Sequence, residues 1–243
     1  MIPQQRTDRR WTRRKEERPA ELMAAALDLF VERGFAATRL DDVASRAGVS
    51  KGTLYLYFSS KEELFKAVIR SGIVPLIEHG EKLHEEHRGS AGELLRKIMF
   101  GWWQSVGSSK LGGIPKLMIS ECRNFPEIGQ FYFDEVISRS YRLIESVMES
   151  GMSSGEFRRM DANYATRLAT APMLVMLLWR YSFDSCETKC VDAEKYLEQH
   201  LDVFISGLVA QGAGERVMTQ AGNVKKGAKP AKVVNIQKKG RGR

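Results

Sequence analysis

Between residues 50 and 61 the chain runs SKGTLYLYFSSK, which sets Ser50, Lys51, Gly52, Thr53, Tyr55, Tyr57 and Lys61 within a dozen positions. Lys51, Thr53, Tyr55 and Tyr57 place one cation beside short and aromatic hydroxyls. An ammonium pairs with a phosphate, and hydroxyls exchange hydrogen bonds with phosphate oxygens or base edges. Lys61 stands just after Ser60, where a helix is expected to begin. A cation there opposes the helix dipole, and an anionic partner such as a phosphate accounts for its position.

Other chemistry is weakly supported. The run His84-Glu85-Glu86-His87 spaces its histidines three apart rather than four, which is the wrong register for a zinc protease and reads as a solvated helix face. Cys122, Cys186 and Cys190 are an odd, sparse set, so a disulfide framework is not expected and a reducing cytoplasm is. No glycine-rich loop ends in Lys-Ser/Thr, and no serine sits in a nucleophile-elbow pattern. The reading therefore holds no catalytic residue, no metal site and no cofactor.

Helices must position the 50–61 segment. Leu22, Ala25, Ala26, Leu29 and Phe30 form one apolar stripe over 19–34, with Pro19 suited to the first helical position and Gly34 to the stop. A short helix is expected over 40–47, opened by Thr38 with Asp41 in a capping box and closed at Gly48. Ser50 caps the next, over 51–57, and Ser60 with Glu63 opens a fourth. Val43, Ala44 and Ala47 on the first short helix, with Val49, Leu54 and Phe58 on the second, supply packing for a helix-turn-helix. Beyond it the pattern predicts helices over 61–88, 91–106, 113–123, 127–151, 161–182 and 190–210, with a kink at Pro172. The segment Asp184–Lys189 is read as a break, and no strand alternation or repeat is evident. The fold class is all-α.

The 243 residues suffice for a sizeable core. The most apolar run, LATAPMLVMLLW (168–179), lies between Arg167 and Arg180 and is too short for a membrane span. The N-terminus lacks the apolar stretch of a secretory signal. The net charge of +8 is carried by the ends, and the part between them is slightly acidic. Residues 1–18 carry seven Lys/Arg against three acids, and 213–243 carry nine against one. Such ends attract polyanions, although a merely solubilising tail has the same composition. Disorder is expected before about residue 17 and after 212.

The run AGVSKGTLYLYFSSKEELF (47–65), preceded by the 22–34 helix, resembles the TetR family of bacterial regulators. The segment SECRNFPEIGQFY (120–132) looks like the C-terminal domain of one subgroup of that family. The resemblance implies an N-terminal three-helix DNA-binding domain with a helix-turn-helix over 18–65. A larger helical effector-binding and dimerisation domain follows over 66–212, between a basic arm (1–17) and a basic tail (213–243). It implies that Ser50, Lys51, Gly52, Thr53 and Tyr55 meet the major groove of double-stranded DNA, and that Thr38, Tyr57 and Lys61 grip phosphates. The residue after Thr38 departs from the family's usual Thr or Ser. It is Arg39, which would replace a hydroxyl contact with a charged one.

The resemblance further implies a cytoplasmic, nucleoid-associated homodimer on a palindromic operator, formed through the last two long helices. Repression relieved by a small effector is the expected habit. Trp102, Trp103, Met118, Phe125, Phe131, Tyr132, Met173 and Met176 are the candidate lining of its pocket, and few acids face inward, so the effector is expected to be apolar or aromatic. A second reading stays open: an architectural DNA-binding protein whose tails bind all sequences alike.

Overall fold

The computed structural model describes residues 5–183 and 191–209, with side chains from 17 onward. All described residues belong to one compact unit, Met1–Ala210. The basic tail, the 184–189 break, Cys186 and Cys190 lie outside them. The described chain is helical throughout, with one isolated bridge between Phe157 and Val209.

Helix α1 runs Gln5–Arg33, well ahead of the start expected at Pro19. Proline removes one intrahelical donor, but the residues before it are mostly Arg, Lys and Glu, which favour helix. The Arg18–Glu21 ion pair (2.7 Å) spans the proline. The expected disordered arm is therefore helical from Gln5. Leu22, Ala26, Leu29 and Phe30 are buried as the stripe requires. The helix stops at Gly34, whose φ of +87° suits a residue without a Cβ.

Helices α2 (Leu40–Arg46) and α3 (Lys51–Tyr55) are joined by a turn in which Gly48 takes a φ of +66°. Helix α4 spans Lys61–Gly72, and Ser60 accepts the Glu63 N–H (3.1 Å) at its start. The single helix expected over 61–88 is broken at Ile73, because Pro75 needs a first-turn position and gets one in α5, Val74–Glu86. Helix α6 (Ala91–Trp102) continues into a π-helical turn, Trp103–Gly107. After a short 3₁₀ turn come α7 (Gly113–Glu121) and α8 (Pro126–Tyr132). A second π-helical turn, Phe133–Ile137, leads into α9 (Ser138–Ser154). Helix α10 (Ala162–Phe183) runs through Pro172 without a break, and α11 (Ala193–Leu208) completes the unit.

Two cores hold these helices. The first gathers α1 to α5 with α7, α8 and the following π-helical turn, from Leu22 to Val136, around a cluster of rings in which Phe30 stacks on Phe35, and Phe65 and Phe125 meet that pair edge to face. Packing therefore does not stop at residue 65. The helix-turn-helix shares its interior with Ile114, Leu117, Met118 and Ile128. The second core lies among α6, α9, α10 and α11 and is rich in Met and Leu.

Candidate nucleic-acid interface

Helix α3 is held by one face. Leu54 is fully buried, and Val49 and Phe58 pack on the same core at either end. Ser50 caps the helix by accepting the Thr53 N–H at 3.1 Å, and its hydroxyl also meets that of Thr53 at 2.8 Å. A helix advances about 100° per residue, so pinning Leu54 inward turns Gly52 and Tyr55 outward, while Lys51 stands at the first residue of the helix. All three are exposed, Tyr55 by 47%, and Thr53 is half-buried. The Lys51 ammonium lies 2.8 Å from Asp41 of α2 and over the Tyr55 ring. The hydrogen bond to Asp41 raises the Lys51 pKa above its ordinary value. Arg39 is the exposed residue preceding α2.

The turn before α2 departs from expectation. Thr38 is 1% exposed, and its hydroxyl lies 2.7 Å from the Gly34 carbonyl and 3.1 Å from that of Leu29. It satisfies the carbonyl end of α1, which leaves it buried and turned away from any phosphate. Nor does it cap α2, which begins after Arg39 without a side-chain cap. Lys61 is likewise turned inward. Its Nζ donates to the carbonyls of Phe35 (2.8 Å) and Ala36 (3.2 Å) and stands 4.5 Å from the centre of the Phe35 ring. Burial lowers its pKa. The cation expected on a phosphate instead ties α4 to the α1–α2 turn. Tyr57 is half-buried against the first core, at the edge of the interface rather than in its centre.

Leu56, which residue-type reasoning passed over, is 82% exposed at the end of α3. Its signal in the sequence is positional: it stands four residues after Gly52, on the side opposite Leu54. Arg46 forms an ion pair with Glu32 at 3.0 Å and lies 3.9 Å from Asp28, tying α2 to α1.

The eight residues expected to line one pocket fall into two groups. Met118, Phe125, Phe131 and Tyr132 pack in the first core, where burial raises the Tyr132 pKa above its ordinary value. Trp102, Trp103, Met173 and Met176 pack in the second. A single pocket over all eight is not formed, because α1 and α7 close one core while α6, α9 and α10 close the other. Two surface clefts, of about 660 Å³ beside Tyr55–Ser59 and α4 and about 410 Å³ along α6, touch none of the eight. Within the second core the Thr166 hydroxyl is fully buried and has no hydrogen-bond partner among the described residues.

A chain of contacts joins the two cores. Tyr181 of α10 donates to the Ser109 carbonyl (2.8 Å), and Arg180 donates to that of Gly107 (3.1 Å). Lys110 pairs with Asp28 of α1 at 2.5 Å. At Gly113 a methyl group would come within 2.7 Å of Val31 and 3.1 Å of Tyr181, so α1, α7 and α10 meet there without space for a side chain. At the end of α7, Glu121 accepts the Ala36 N–H of the α1–α2 turn at 3.4 Å.

Comparison with known proteins agrees with this arrangement. Residues 22–68 match the family of bacterial regulatory proteins named tetR. Residues 93–207 match the AefR-like transcriptional repressor C-terminal domain. The transcriptional activator FasR of Mycolicibacterium smegmatis is 46% identical over 63 residues, which is 26% of this chain and 29% of that protein. The transcriptional repressor KstR2 of Rhodococcus jostii is 25% identical over 198 residues, 81% of this chain and 93% of its own length. In fold, the chain resembles the transcriptional regulator FadR of Bacillus subtilis in complex with stearoyl-CoA, with a TM-score of 0.61 and 20% identity over 78% of this chain and 98% of that one. With both halves matched and a helix-turn-helix in place ahead of a larger helical region, the chain belongs to the TetR family of transcriptional regulators.

Proposed function

We propose that the chain acts as a homodimeric, sequence-specific repressor, released from a palindromic operator by a small apolar or aromatic effector. The observation that carries the reading is α3: a helix pinned by Leu54 that leaves Lys51, Gly52 and Tyr55 exposed, with Thr53 half-buried beside them. Ser50, Lys51, Gly52, Thr53 and Tyr55 meet base edges, and Arg39 and Tyr57 meet flanking phosphates. The Lys51–Asp41 pair is exposed, so exchanging the carboxylate for a phosphate has a small cost.

The exposed faces of the last two helices support the dimer. Tyr164, Leu168, Val175 and Trp179 lie along one side of α10, each between 48% and 67% exposed, and Val203 of α11 is 75% exposed. A second copy would cover this face by two-fold symmetry and set two α3 helices about one DNA turn apart.

The effector would enter the second core, whose Met side chains repack readily around apolar guests. Trp102, Trp103, Met173 and Met176 would contact its body, and the unpartnered Thr166 hydroxyl would take its polar group. A ligand wedged against α10 would displace Arg180 and Tyr181, and through Gly113 and Lys110 the end of α1. Only unequal affinity for the two arrangements drives release, and about 1–3 kcal/mol of coupling changes DNA affinity roughly 5- to 150-fold. The ligand in the FadR complex, stearoyl-CoA, is consistent with a long apolar guest.

Selection of bound duplexes from a random library tests the DNA-binding reading. A two-fold-symmetric site is expected; enrichment of basic-tail-dependent, sequence-indifferent binding overturns it. Titration of that site with acyl, steroid and aromatic ligands then tests release, and unchanged affinity across the panel removes the effector from the account.

A further inference from the structure

The side of α3 opposite its buried anchor carries only two residues, Gly52 and Leu56. With Leu54 fully buried, the direction diametrically opposite falls between positions 52 and 56, one helical turn apart on the same side. Leu56 keeps right-handed helical dihedrals (φ −69°, ψ −22°), so it continues the geometry of the helix. Around Gly52 the space is open: a Cβ there would find only the Ser50 hydroxyl, at 3.9 Å. Leu56 itself is 82% exposed, the highest value among the exposed large hydrophobic side chains of the described residues. No contact among the described residues explains an apolar side chain held in water at the tip of a helix that otherwise presents hydroxyls and a cation. Neighbouring Tyr57 and Phe58 turn back onto the core, so Leu56 is not part of an inward-facing run.

In the major groove the only strongly apolar feature is the C5-methyl group of thymine. Resting on the assignment of α3 as the recognition helix, we propose that Leu56 is a specificity-determining residue that packs on a thymine methyl in each half-site. The bare Gly52 turn lets the helix approach closely enough for it to do so. The hydroxyls and Lys51 satisfy hydrogen-bonding edges, while Leu56 selects for the methyl group and against cytosine at its position. Removing the methyl from water together with part of the leucine is worth about fourfold in affinity per half-site, and about fifteenfold for a symmetric pair.

The test replaces thymine by deoxyuridine, which deletes the methyl and leaves every hydrogen-bonding group in place. In the selected operator, each thymine and its symmetry mate are exchanged in turn, and affinity is measured for the full-length wild type and for Leu56→Ala. One thymine pair is expected to lose about fifteenfold with the wild type and to lose nothing further with Leu56→Ala, whose own selected site should no longer demand thymine there. Because Leu56 is exposed, the variant keeps the wild-type thermal melt, which is measured alongside. The proposal is overturned if every deoxyuridine operator binds the wild type as tightly as the parent, or if Leu56→Ala shows the same methyl-dependent loss. Either result would leave the operator itself intact. Failure of the recognition-helix reading would look different, because no symmetric site would be selected at all.

Discussion

The Lys61 ammonium donates to two backbone carbonyls and sits over the Phe35 ring, so its removal should be felt as stability rather than as DNA affinity. Lys61→Met is expected to lower unfolding free energy by about 1–2 kcal/mol in a urea melt. The slope of log affinity against log salt should stay unchanged. A phosphate contact would instead reduce that slope by about one per half-site. The sequence placed Lys61 correctly at the start of α4 and could not show its direction, because the carbonyls that draw it inward lie 25 and 26 residues earlier in the chain. Thr38 bonds the carbonyls of Leu29 and Gly34 at the end of α1, a turn geometry that residue type alone does not show. Thr166 offers the converse experiment. Its hydroxyl is buried without a partner, so Thr166→Val should leave stability unchanged or raise it by about 1 kcal/mol. The same variant should weaken any effector-induced release measured by anisotropy. A loss of stability instead would show that the hydroxyl is bonded in the protein.

At the element scale, the caps of α3 and α4 were written in local sequence, while the expected cap of α2 was not formed. Ser60 accepts the N–H three residues on, at 3.1 Å, and starts its helix where the pattern of serine and glutamate placed it; Ser90 does the same at the start of α6, a cap the sequence reading passed over. Ser60→Ala should cost about 1 kcal/mol by denaturant titration. The α1–α2 tie was not legible, since Glu32 and Arg46 lie 14 residues apart on different helices. The hydrogen bond from Arg46 lowers the Glu32 pKa below the usual carboxylate range. A carboxyl group with a lower pKa in the folded than in the unfolded chain favours folding above its unfolded value. That contribution fades as pH falls through the lowered value. Stability should therefore drop on acidification over that window, and Glu32→Gln should flatten this part of the pH profile in thermal melts. A profile identical to wild type would show that the pair is too solvated to matter. The break at Ile73 escaped the periodicity because α4 and α5 both present apolar faces, and only Pro75 marks the joint.

At the scale of the molecule, the helical class and the order of helices were readable from apolar spacing and glycine stops. The division of the interior was not. Periodicity says that Met118 and Met173 face inward, and not that they face different cores. The exposed face of α10 and α11 carries the dimer prediction. Val203→Arg, on a side chain already 75% exposed, should leave the fold intact and yield monomers by sedimentation velocity. It should also weaken operator binding by orders of magnitude as the two half-sites become independent. Unchanged sedimentation would place the dimer contact elsewhere. Deleting 213–243, with its nine Lys/Arg, should weaken scrambled DNA more than operator and flatten the salt dependence. The most direct test of the central claim is the ratio of affinities for the selected operator and a scrambled duplex at one fixed salt concentration. It should be measured for the full-length chain and for Tyr55→Ala in the same background. A ratio of at least about a thousand, collapsing in Tyr55→Ala while scrambled binding is retained, is the result expected of sequence reading by α3. A ratio near one, or one that Tyr55→Ala leaves intact, would contradict it.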